Sequence, residues 1–153
     1  MQSQQAVADR PMVLPKIDDP DTAPFWEAAG RGELVAQRCE SCSRLRFPPR
    51  PFCSCGSGDF TWERLSGEAT LWSWCVSHGP TLPAFQEVAP FTIAVVELAE
   101  DPGVRMIGNI VSGAGLPLGS VDPETLSIGM KLAIEFARVC DDVVLPYWTP
   151  AGG

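Results

Sequence analysis

At 153 residues, 45% of them apolar, the chain can bury one sizeable core, or a small core with a stapled appendage. Its 15 prolines and 14 glycines favour many short strands and turns over long helices. Net charge is −8 and concentrates late: residues 65–153 hold three basic and ten acidic groups. Such a surface repels a phosphate backbone, so nucleic acid is not an expected partner. Nor is a membrane, because the longest apolar run, Phe91–Leu98, is far too short to span a bilayer.

Residues 1–17 are polar and punctuated by proline, and are expected to form a flexible N-terminal arm. The stretch Met1–Asp9 has neither the basic nor the apolar region of a secretory signal, so a cytoplasmic location is expected. Residues 18–65 read as a unit. Asp18-Asp-Pro-Asp-Thr22 offers helix-start chemistry, and Phe25, Trp26 and Ala29 fall at helical spacing before Gly30 and Gly32. The two aromatics either pack on their own domain or anchor the helix on another subunit.

Glu33–Cys39 reads as a strand that delivers Cys39, followed by Cys42 and then by Cys53 and Cys55. The pattern is C-x-x-C, ten residues, then C-x-C. Thiolates are soft ligands, and two close pairs brought together by a hairpin supply a closed tetrahedral set for a structural zinc. Iron in such a site, or four reduced thiols, are the alternatives. If the chain were extended at Cys53-Ser-Cys55 the two sulfurs would point apart, so a tight turn is required, which Gly56 can provide. Arg38, Arg44, Arg46 and Arg50 surround the ligands. They either relieve the charge of a four-thiolate centre or form a patch for a phosphorylated ligand.

Phe60–Leu65 leaves the ribbon as a strand, and Ser66-Gly67 marks the junction. Residues 66–150 read as all-β. Strands are expected at Ala69–His78, Phe91–Leu98, Val104–Val111, Lys131–Arg138 and Val143–Trp148. Simple alternation puts Trp72, Trp74 and Val76 on one face of the first of these. The Pro80–Pro90 loop exposes Leu82 and Phe85. Five strands with one long loop fit a small OB-type barrel. Cys75 and Cys140 are expected as buried, inert thiols. His78, the single histidine, has no carboxylate partner in sequence, and no nucleophile elbow, phosphate-binding glycine loop or metalloprotease helix is present. No catalytic residue is assigned.

The order of features then becomes recognisable: a helix ending in Phe-Trp-Glu, a strand running into Arg38-Cys39, and Arg46-Phe-Pro-Pro-Arg50 between the cysteine pairs. Leu65-Ser-Gly67, Pro90-Phe91, Arg105-Met-Ile-Gly-Asn109, Ile128-Gly-Met130 and Leu145-Pro-Tyr-Trp148 follow. From Asp18 to Pro150 the chain resembles the bacterial and archaeal "domain of unknown function" family that joins a rubredoxin-like zinc ribbon to an OB fold. This chain departs from it at Cys53-Ser-Cys55, where the family usually has C-x-x-C. The resemblance implies a non-catalytic partner of a thiolase-like subunit acting on acyl-CoA thioesters, with the catalytic residues on that subunit. It further implies a hetero-oligomer, most readily a retro-aldolase of steroid side-chain degradation, with an acyl-CoA condensing or acyltransferase complex as the alternative. On this reading Arg46 and Arg50 are candidate contacts for CoA phosphate, and Phe25, Trp26 and Phe85 are candidate interface residues. A stand-alone OB module stacking bases on Trp72 and Trp74, and an iron-containing electron carrier, are the competing readings.

Overall fold

Pro24 in the first turn fixes the start of α1 (Ala23–Gly30), the one α-helix among the described residues, and Gly32, at φ +75°, lets the chain leave it. In this computed structural model residues 13–152 are described, so most of the arm expected over residues 1–17 lies outside the described residues. The helix turns Phe25 and Ala29 inward as its spacing predicts, with Ala28 beside them, while Trp26 is only half-buried.

Three strands, β1 (Val35–Cys39), β2 (Leu45–Arg46) and β3 (Phe60–Arg64), form an antiparallel ribbon in the order β2-β1-β3. Five more form a second antiparallel sheet: β4 (Glu68–Ser77), β5 (Phe91–Leu98), β6 (Asp101–Asn109), β7 (Lys131–Cys140) and β8 (Val143–Pro150). In their order, β6-β5-β4-β7-β8, the hairpin pairings are long and the central β4–β7 pairing is confined to Glu68–Thr70 and Lys131–Ala133, and the sheet curls into the half-barrel of an OB fold. Its two edges meet where Ile110 bridges Trp148 in parallel and the Val111 amide donates to the Trp148 carbonyl at 2.9 Å. Trp148, 1% exposed, wedges this seam. Gly108 makes room for it: a Cβ there would lie 3.1 Å from Trp148 Cδ1.

One hydrophobic cluster runs through both units. Phe25 and Ala28 of α1 and Leu34, Ala36 and Leu45 of the ribbon join Leu71, Val96, Leu98, Ile110, Leu132 and Trp148 of the half-barrel. The ribbon is therefore fixed to the sheet by shared apolar burial.

Two expectations are corrected. A β-bulge between Leu71 and Ser73 breaks the alternation of β4. Leu71 points in, Trp72 is 44% exposed, and Trp74 turns back against the core, so the two tryptophans do not share a face. Cys75 and Cys140 are exposed rather than buried, Cys75 through the same bulge and Cys140 at the end of β7.

Candidate metal centre

The four cysteines of the ribbon converge. Their sulfurs all lie within 4.8 Å of one another, with Cys39 Sγ 3.7 Å from Cys55 Sγ and Cys42 Sγ 3.6 Å from Cys53 Sγ. A tetrahedron with Zn–S bonds of about 2.3 Å has edges of about 3.8 Å, so the cluster has the right size for a divalent ion. Two tight turns achieve this. In the first, the Ser43 amide donates to the Cys39 carbonyl at 3.0 Å and Ser43 adopts φ +59°. In the second, the Cys53 amide donates to the Ser57 carbonyl at 2.8 Å and Gly56 sits at φ +89°. A left-handed residue in each turn thus folds the chain back on the metal site, and the shorter C-x-C spacing is accommodated by Gly56.

Side chains tie the turns together. Arg44 donates to Ser54 Oγ at 3.0 Å, and Ser41 Oγ lies 2.9 Å from Ser57 Oγ. Backbone amides aimed at the sulfurs favour thiolate. The Cys55 amide chiefly holds the Cys53 thiol down at about 6, and the Cys42 amide lowers Cys39. At Cys42 the Arg44 amide also favours the thiolate, but burial and the neighbouring thiols push that group up to about 11. Four crowded thiols hinder one another's ionisation; a bound divalent cation removes that conflict by deprotonating them all. With Cys39 and Cys53 buried and four protein ligands, the set leaves no coordination position for substrate. The residues fit a structural zinc, which would be held by Cys39, Cys42, Cys53 and Cys55 and would supply cross-linking of the ribbon.

The arginines separate into distinct roles. Arg38 grips Glu63 in a two-point ion pair, both contacts at 2.7 Å, and donates to the Ser43 carbonyl at 2.8 Å, bracing the first turn. The Glu63 carboxylate raises the pKa of Arg38, and Arg38 lowers that of Glu63, chiefly through their shared hydrogen bonds. Arg46, open between relieving the charge of a four-thiolate centre and contacting phosphate, is 3% exposed: its Nε donates to Gln37 Oε1 at 2.7 Å and its guanidinium stacks 4.8 Å from the Phe60 ring centroid. Arg50 is exposed, and its backbone amide donates to Gln37 Oε1 at 3.0 Å.

Of the interface candidates, Phe25 is 4% exposed and packs edge-on against Trp26 and tilted against Phe47, so its ring belongs to the core. Trp26 is half-buried beside it. Phe85 sits on Phe91 at 5.6 Å in the loop after β4, at the rim of a groove of about 350 Å³ walled by Val88, Leu116, Leu118, Leu145 and Tyr147. That apolar groove, whose burial raises the Tyr147 phenol, was not legible in sequence because loops 80–90 and 112–120 build it together. His78 is exposed at the end of β4. No described helix is long and apolar enough to cross a membrane.

Comparison with known proteins completes the picture. Residues 26–61 match the model of the ChsH2 rubredoxin-like zinc ribbon domain, and residues 62–137 that of the ChsH2 C-terminal OB-fold domain. A solved chain titled Ltp2-ChsH2(DUF35) aldolase superposes with a TM-score of 0.75 at 35% identity, covering 91% of this chain and all of that one. The chain belongs to the ChsH2 (DUF35) zinc-ribbon and OB-fold family. It is also 34% identical over 151 residues to a probable enoyl-CoA hydratase alpha subunit of Thermomonospora curvata, matching 98% of this chain and 42% of that protein. Over 131 residues it is 39% identical to the 3-oxo-4,17-pregnadiene-20-carboxyl-CoA hydratase alpha subunit of Mycobacterium tuberculosis, matching 85% of this chain and 38% of the relative. The chain thus spans about two fifths of the length of these curated relatives. Family and metal centre agree: a ribbon of this family with four sulfurs at this spacing is a structural zinc site.

Proposed function

We propose that this chain is a non-catalytic subunit of a complex in which a thiolase-like partner acts on acyl-CoA thioesters, most readily a retro-aldolase that shortens a steroid side chain. The observation that carries the reading is the pairing of a metal site closed to substrate with end-to-end likeness to the DUF35 chain of an aldolase. The relative named for a pregnadiene carboxyl-CoA supports a steroid thioester as the substrate class. In this reading the ribbon and α1 dock on the partner, with Trp26 at the contact and Arg50 near the CoA phosphates. The groove beneath Phe85 borders the acyl channel. Phe25 acts from the core by fixing the orientation of α1.

The test is co-expression with a thiolase-like protein encoded beside this chain, followed by affinity capture and assay of thioester cleavage. The complex should co-purify and release a shortened acyl-CoA, while the isolated chain should not turn the thioester over. Turnover by the pure chain alone, or failure of every such candidate to co-purify, would end this reading. Carbon–carbon bond formation by the captured complex would favour the condensing alternative.

A further inference from the structure

Arg46 is buried in a way that guanidinium groups rarely are. It is 3% exposed, and both Nη1 and Nη2 are buried without a hydrogen-bond partner. Its Nε bonds to Gln37, an uncharged side chain, and its plane rests on Phe60. Among the described residues no carboxylate forms an ion pair with it. A charge taken out of water without a counter-charge is costly, and one cation–π contact does not offset it.

The sheet register shows where the missing charge lies. Arg46 pairs with Gln37, and Cys39 pairs with Phe60. Cross-strand partners share a face, and so do residues two apart on one strand. Arg46, Gln37, Cys39 and Phe60 therefore occupy one face of the ribbon. From its own row beside Gln37 the guanidinium leans over Phe60, the residue directly opposite a metal ligand. Four thiolates around a divalent ion carry a formal charge of −2. The other arginines answer it poorly: Arg38 is committed to Glu63, while Arg44 and Arg50 are exposed and screened by water.

We propose that Arg46 is the buried counter-cation of the zinc centre, a positioning residue that raises metal affinity through the field it sets at the sulfurs. The consequence depends on metal state. With zinc bound, the guanidinium and the anionic centre compensate each other. With zinc gone, a guanidinium kept buried on Phe60 would lack a counter-charge, so Arg46 favours release of the loop. A side chain that merely packed would favour the ordered loop in both states.

Zn²⁺ affinity of the full chain, measured by competition with a chromophoric chelator, and melting of the metal-free chain separate the two roles. Arg46→Met keeps the bulk and removes the charge. Zinc affinity should fall by about 10–100-fold, the range for outer-shell partners of metal ligands, while the metal-free chain melts no lower than the parent. Arg46→Lys keeps the charge and should hold affinity within about threefold of the parent. Cobalt substitution, read by its thiolate charge-transfer bands, verifies four-sulfur ligation in each variant. Unchanged zinc affinity in Arg46→Met, or equal losses of melting temperature with and without metal, would overturn the proposal. If Arg46→Met does not fold, Arg46→Lys decides: affinity near the parent's supports the counter-cation, and a loss beyond tenfold refutes it. None of these readouts involves the partner or a thioester, so they stand apart from the test of the complex.

Discussion

Removing the zinc should melt one part of this molecule and leave another folded. Of the twenty residues 40–59, only Leu45, Arg46 and Cys53 are buried. Burial of Leu45 contributes about 1.5–3 kcal/mol. A zinc ion on thiolate ligands contributes about 10–16 kcal/mol at neutral pH. The metal term dominates, so this loop has no core able to hold it once the metal leaves. The half-barrel is different: Leu71, Val96, Leu98, Ile110, Leu132 and Trp148 are each 1% exposed or less, independent of the cysteines. Hydrogen exchange on the full chain, before and after exhaustive chelation, resolves the two. Amides of Ser43, Cys53 and Gly56, bonded within the two turns, should lose their protection, while amides of interior strand β5, between β4 and β6, keep theirs. Protection persisting in the turns after metal analysis shows no zinc would refute the reasoning, because something other than the ion would then order the loop.

Acid should release the metal as well, since protons compete for the four sulfurs; the expected sign is an affinity that falls with every step down in pH, read by the same chelator competition. Glu63 adds a smaller dependence. Arg38 holds its carboxyl below the ordinary range, so the pair's stabilisation is complete above about pH 4.3 and is lost as pH falls through the lowered value. With the side chains 32% and 38% exposed, screening keeps it below about 1 kcal/mol, and Glu63→Gln should flatten the acid limb of a denaturant series by that amount. Trp148→Ala should cost about 3–5 kcal/mol in urea unfolding. Trp72→Ala, which removes an exposed ring stacked 3.8 Å under Arg105, should cost under about 1 kcal/mol; a reversed order would contradict the bulge in β4. Gly67→Ala meets both a φ of +81° and Ile134 Cγ2 at 2.7 Å, so a loss of about 1–3 kcal/mol is expected, seen as a lowered urea midpoint.

The sequence made the strands and the ligand set legible because both rest on local pattern. Phe91–Leu98 carries its apolar run between Pro90 and a turn, and the strand keeps those bounds in the fold. The cysteine pairs announce their chemistry by spacing, and the turns at Ser43 and Gly56 realise it. What stayed hidden depends on long-range geometry. A bulge leaves no signature in a run such as Leu71-Trp-Ser-Trp74, since every residue there suits a strand on either face. Phe25 was open between core and interface because helical spacing shows which residues share a side, not what that side meets. Arg46 stays open between charge relief and phosphate contact in sequence because arginine is rarely fully buried, and nothing adjacent reveals that Phe60, fourteen positions on, lies beneath it.

The shared core lets such a small ribbon hold one orientation, as the proposed docking role requires. A two-residue strand such as β2 cannot set the direction of a binding surface by itself. Here α1 touches both sheets, through Phe25 and Ala28 in one apolar cluster with Leu34 and Leu132, so ribbon and half-barrel keep one relative orientation. Zinc then orders only the outer loop, where Arg44, Arg50 and the sulfurs lie. Metal loss should accordingly abolish contacts made by that loop while sparing any made by the barrel. A partner captured by the metal-loaded chain and released by chelation would place the loop in the interface. A partner that stays bound after chelation would assign the interface to the half-barrel and its Phe85 groove.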